Sequence, residues 1–135
     1  MLLLLPCAFA QGAPAHSLRD LRGALEEVRT TTDGVRTAVL AYKELNKSWQ
    51  ACGTPEEAKA RGSKFDRTKW EGGTCWTVLA WDDPGLIRGG YWITLTPTGF
   101  EVHGVFDGDG DGVYAEYVAT ESKPAATVTP PDEYR

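Results

Sequence analysis

The sequence predicts an α+β fold, with one long N-terminal amphipathic helix packed on a four-stranded antiparallel sheet. Three observations carry this expectation. Apolar residues recur at helical spacing between Leu18 and Trp49, in alternating steps of three and four or sums of these. The period then changes to two, in four short segments between Cys75 and Ala119. The links between those segments are too short for the crossovers that parallel strands require.

Length and charge set outer limits. A chain of 135 residues suffices for one domain with one core. A net charge of −5 disfavours nucleic acid and anionic lipid as partners.

The first element is Met1 to Ala10, MLLLLPCAFA, an apolar run too short to span a bilayer. Ala8-Phe9-Ala10 is a small-x-small cleavage pattern. Residues 1–10 are therefore read as a secretory signal peptide and 11–135 as a single exported domain. No Lys or Arg precedes the leucines, and Leu5-Pro6-Cys7 fits a lipobox poorly. The competing reading is a buried apolar N-terminus of a cytosolic protein. In the exported reading Cys52 and Cys75 remain after cleavage and form one disulfide. Its loop is long enough for about 3 kcal/mol of stabilisation. Zinc suits the pair badly, because the spacing is wide and only His16 and His103 are available to help.

The helix is read from Leu18 onward. Leu18, Leu21, Leu25, Val28, Val35, Val39, Tyr42 and Trp49 share one stripe, with Thr32 and Asn46 in the skipped places. Ser17 caps the start, with Asp20 three residues on. Asp33-Gly34 is a weak point where the helix is open to kinking. The stripe suits burial against a sheet or, alternatively, a coiled-coil seam. Cys52-Gly-Thr-Pro55 ends the helix, and Pro55 starts a short second one. Residues 61–73 read as an irregular connector anchored by Phe65 and Trp70.

Four strands follow, at 75–81, 88–96, 99–106 and 112–119. Residues 127–135, with two prolines, are extended at an edge or loose. Between the last two strands runs Phe106-Asp-Gly-Asp-Gly-Asp-Gly112. It brings three carboxylates, Asp107, Asp109 and Asp111, close enough to repel one another. Hard cations such as calcium collect six to eight oxygens, and D-x-D-x-D-G is how several calcium loops begin. The EF-hand pattern fails, since its bidentate acid would fall at Val118. The two readings are a calcium site, with Glu101 or Glu116 as further oxygen donors, and a solvated Asp-Gly hairpin turn.

Helix, cysteine-bearing connector, antiparallel sheet and aspartate loop together resemble a family. Ala38-Val-Leu-Ala-Tyr42 in the helix, then Gly99-Phe-Glu-Val and Phe106-Asp-Gly-Asp-Gly-Asp-Gly-Val-Tyr, are similar to the globular part of type IV pilins and type II secretion pseudopilins. The likeness is greatest to deltaproteobacterial-type pilins that carry an Asp-Gly loop after a strand, and it spans roughly residues 18–132. It implies a structural, non-enzymatic subunit, exported to the periplasm or into a filament. It implies calcium at Asp107, Asp109 and Asp111. Its partners would be pilin or pseudopilin subunits. The departure is the N-terminus: pilins open on a short basic leader and a long apolar helix beginning Phe-Thr-Leu-x-Glu, which does not appear here. Three readings follow: the sequence is part of a longer chain, the domain is exported on its own, or it pairs with a separate helix-only pilin that supplies the apolar helix.

An enzyme is not expected. Asp82 and Asp83 sit in a Pro-Gly loop and His103 on a strand, and there is no nucleophile elbow or phosphate loop. The alternative to the pilin reading is a free periplasmic binding module that uses Trp49, Trp70, Trp76, Trp81 and Trp92 as a sugar- or peptide-binding sheet face.

Overall fold

Seven apolar or small side chains spaced along one helix face, and seven more on one face of a sheet, make the core. The computed structural model describes residues 16–129. The expected signal peptide, with Cys7, lies outside the described residues.

Helix α1 (Leu18–Asn46) begins as its cap residue dictates: Ser17 accepts the Asp20 backbone N–H at 3.0 Å. It runs unbroken through Asp33-Gly34. It stops at Lys47, which turns left-handed at φ 61° while its N–H closes on the Lys43 carbonyl. Trp49 thus lies beyond the helix, where its ring packs on Phe100 at 5.0 Å. The predicted stripe is the buried one: Leu21, Leu25, Val28, Thr32, Val35 and Val39 face inward, with Ala24 added. Leu18 stays exposed.

The main sheet contains β3 (Gly90–Thr96), β4 (Gly99–Phe106), β5 (Ala115–Thr120) and β6 (Ala126–Thr129). All neighbours pair antiparallel in the order 3-4-5-6. Ile93, Phe100, Val102, Phe106, Ala115, Tyr117 and Ala119 meet α1 across the core. Each fully buried aliphatic or Phe side chain contributes about 1.5–3 kcal/mol. The closest approach of helix and sheet is at Thr32 and Gly104. A Cβ on Gly104 would overlap the Thr32 hydroxyl and stand 3.3 Å from Thr32 Cβ. Thr32, fully buried, satisfies its own hydroxyl on the Val28 carbonyl at 2.8 Å.

The opposite face of the sheet is partly covered. Helix α2 (Pro55–Gly62), capped by Thr54, sits on β3 and β4. Ala58, Trp92 and Val105 form a small separate cluster there, flanked by Tyr114.

The connector departs most from expectation. β1 (Thr68–Lys69) pairs with β2 (Leu86–Ile87) in a two-stranded ribbon. Between them, residues expected as a strand at 75–81 form α3 (Thr74–Val78) instead. Trp76 and Leu79 are buried while Val78 is exposed, so the burial step there is three and not two. The fourth strand of the sheet is β6, in the segment read as an edge or loose tail. Cys52 and Cys75 are bonded, with Cα atoms 5.7 Å apart. Cys52 also pairs through its backbone with Ile93 of β3, so the disulfide ties α3 to the sheet edge. Among the described residues, no helix is long and apolar enough to cross a membrane.

Candidate metal centre

The aspartate loop joins two central strands. Phe106 ends β4 fully buried, and Ala115 opens β5 fully buried. Both ends of the loop are thus fixed by the core. The first aspartate is drawn in with them: Asp107 is 2% exposed. Its backbone N–H donates to the Gly62 carbonyl at the end of α2, at 2.8 Å.

A buried carboxylate needs donors. Asp107 receives three backbone N–H groups, from Gly110 at 3.0 Å, Asp111 at 3.3 Å and Gly112 at 2.8 Å. Such a wrap requires left-handed backbone, and Gly110 and Gly112 supply it at φ 74° and 88°. The next two aspartates repeat the motif on the surface. Asp109 Oδ1 accepts the Asp111 N–H at 3.2 Å, and Asp111 Oδ1 accepts the Val113 N–H at 2.9 Å.

The three carboxylates converge. One oxygen from each lies within 4.8 Å of the others. Oxygens on a single calcium ion stand at most about 5 Å apart, twice the Ca–O bond, so the donor set and its spread fit one hard cation. Its electrostatics fit as well. Desolvation, then the hydrogen bond shared with Asp107, pushes Asp109 up to about 6. The Val113 N–H holds Asp111 below its ordinary value. The loop thus contains one carboxylate committed to the turn, one fully charged, and one reluctant to ionise without a neighbouring cation.

The expected extra donors are elsewhere. Glu101 Oε1 lies 3.2 Å from Nε2 of His103, and Glu116 Oε2 lies 2.7 Å from its Nδ1. The imidazole stacks flat on Trp92, with centroids 4.4 Å apart and 3° between planes. Both glutamates therefore serve His103. The remaining oxygens of a six- to eightfold shell would come from backbone carbonyls and water. Asp82 and Asp83 are exposed in the stretch between α3 and β2.

The tryptophans do not form a sheet face: of the five, Trp92 alone stands on a strand of the main sheet. Trp70 instead packs edge to face with Trp76 and Trp81, which tilt against each other, all with centroids 4.9–5.6 Å apart. Two arrangements were not foreseen from sequence. One is the His103 group, whose signal was the alternation of Glu101 and His103 on one side of β4. The other is the junction of Arg61 with Trp70, which leaves no spacing signal.

The fold and loop define an α+β domain with a hairpin of three aspartates that can hold a metal ion. No family model matches the chain, and neither does any curated protein or solved structure.

Proposed function

We propose that this chain is a structural, non-enzymatic subunit of the type IV pilin or pseudopilin kind, exported from the cytoplasm, with calcium in its aspartate loop. The observation that carries the reading is one combination. A 29-residue helix lies along an antiparallel meander, and a D-x-D-x-D-G hairpin is set between its two central strands. The disulfide supports export, because such bonds persist in oxidising compartments. The periplasm, or the cell exterior as part of a filament, is the corresponding location.

The partners in this reading are pilin or pseudopilin subunits, a separate helix-only pilin being the one tested first. Leu21 is taken up by the core, so the apolar surface left at the start of α1 is Leu18. The test is co-expression with short helix-only pilins from the same genome, followed by pull-down on the tagged domain. Recovery of a defined complex is the expected result, weakened by Leu18→Asp. Failure to recover any pilin, with a correctly oxidised and folded domain, rejects the subunit reading.

A further inference from the structure

We propose that the pocket between α2 and residues 70–76 binds one pyranose ring of a neutral carbohydrate. This site is separate from the aspartate loop and does not depend on the pilin reading. The cavity measures about 190 Å³. A cavity of about 150 Å³ accepts benzene, so this one takes a single substituted six-membered ring. Trp70, Trp76 and Tyr91 wall it, and Arg61, Glu57 and Glu71 supply its polar groups.

Two donors at this site lack acceptors. Trp70 is 6% exposed, and its Nε1 is buried with no hydrogen-bond partner. Arg61 Nε is in the same position. The rest of the Arg61 guanidinium is committed to the Thr68 hydroxyl and carbonyl and to the Ile87 carbonyl, while its plane lies over Trp70 at 5.1 Å. Buried donors without acceptors are rare and costly in native proteins. Two side by side in the wall of one pocket point to an acceptor-bearing ligand.

Charge selects the class. An ammonium ligand suits aromatic walls, but Arg61 already occupies the face of Trp70 with a positive charge. A carboxylate ligand suits the donors but meets Glu57 and Glu71. A neutral ring with several hydroxyls satisfies both sets. Its oxygens accept from the two N–H groups, its hydroxyls donate to the two carboxylates, and its C–H groups meet the aromatic walls of Trp76 and Tyr91. Gly72 controls access. A methyl on Gly72 would stand 2.6 Å from Trp70 Nε1 and 2.5 Å from Trp76 Cδ1, so its backbone closes over that nitrogen. Its neighbours Glu71 and Gly73 are exposed, and Gly73 turns at φ 85°. A sugar oxygen that accepts from the indole would sit beside Gly72, which lines the same pocket.

The test is a proton–nitrogen NMR titration of the oxidised domain. The probes are methyl glucopyranoside, galactopyranoside, mannopyranoside and N-acetylglucosaminide, with the matching trisaccharides in a second arm. The expected result is a saturable shift of the Trp70 indole and Gly72 amide peaks by at least one probe, with a Kd of about 1 mM or tighter. Tighter binding of the trisaccharide assigns the source to a glycan chain, and equal binding to free sugar. Trp70→Phe keeps the ring and removes the donor, and should weaken binding, read on Gly72, about tenfold. Glu71→Ala, at an exposed position, gives an independent loss should Trp70→Phe fail to fold. The proposal is overturned if no probe shifts these peaks, if affinity is unchanged in the folded variants, or if acetate or tetramethylammonium binds in preference.

Discussion

The helix-and-meander frame and the connector at residues 47–89 share one core but draw on it to different degrees. In the frame, Val28, Val35, Val39, Val102 and Phe106 are fully buried, and the polar Thr32 among them is satisfied internally. Its stability comes from apolar area, which does not depend on redox state and escapes the ionic screening that weakens charge pairs. The connector has short helices, a two-residue-strand ribbon and an aromatic cluster; its Trp70, Trp76, Leu79 and Ile87 reach the same core, and charged and covalent links add to that burial. Arg88 bonds the Phe65 carbonyl at 2.7 Å and Glu27 at 2.7 Å. Burial pushes Glu27 up, but the guanidinium groups of Arg67 and Arg88 outweigh it and hold the carboxyl below its ordinary value. The disulfide adds the covalent link. The frame is built to persist and the connector to depend on its surroundings.

The largest perturbation should come from the frame. Phe106→Ala empties a fully buried site beneath the aspartate loop and should cost about 3–5 kcal/mol. Chemical denaturation measures this. A cost below about 1 kcal/mol would mean that the site collapses and that the frame is looser than its burial implies.

Reduction should come next and should discriminate between the regions. The Cys52–Cys75 bond closes a separation of 23 residues, worth about 3 kcal/mol. Hydrogen exchange of the double variant Cys52→Ser with Cys75→Ser should show loss of protection confined to residues 50–89, with β4 and β5 kept. Uniform loss across both regions would erase the distinction.

The smallest effect belongs to the loop between them, and it depends on pH. Asp109 in the folded protein is pushed up to about 6, above its ordinary 3.8. Stability from its protonated form is therefore full below about pH 4 and is lost as pH rises through about 6. Calcium requires the charged form, so its stabilising effect should be full above pH 6 and shrink below it. At calcium a hundredfold above its Kd the gain is about 2.7 kcal/mol, or several degrees in Tm. Magnesium should do less, because it demands a tighter octahedral shell. In chelator at pH 7.5, Asp109→Asn should melt above the parent protein and ignore added calcium. Identical calcium responses in the two proteins would reduce the loop to a turn.

The same division explains what the sequence made legible. The α1 stripe, its Ser17 cap and β4 follow from periodicity and local chemistry, because one face of each meets a single continuous core. The three aspartates are adjacent in sequence, so their convergence needed only glycine between them. Residues 74–78 mislead because Trp76 and Val78 flank Thr77 as they would in a strand, yet the tertiary clamp at Cys75 and the turn at Gly73 (φ 85°) set a helical turn. β6 was legible only as an extended segment, at an edge or loose, since Ala126, Thr127 and Val128 are all exposed and give no alternation. It forms because β5 offers an open edge. Asp33 was read as a weak point in α1, but its carboxylate accepts the Ala125 N–H at 2.6 Å and anchors the approach to that strand. Such a bond joins positions 92 residues apart, and no local pattern reveals it.

The contact of Thr32 with Gly104 has a mechanical meaning. A helix seated on a sheet by aliphatic side chains alone can creep along its axis, since one valine meets the surface much as the next does. Here a side chain fills the gap left by a missing one. Displacement by a single turn, about 5.4 Å, would bring Val28 or Arg36 against a site with no room for a Cβ of its own. Arg36 adds a second stop, bonded to the carbonyls of Thr120 and Glu121 at 2.7 and 3.0 Å. Tension along α1 is thus met by a tooth in a notch, and helix and sheet travel as one body until the notch itself gives way.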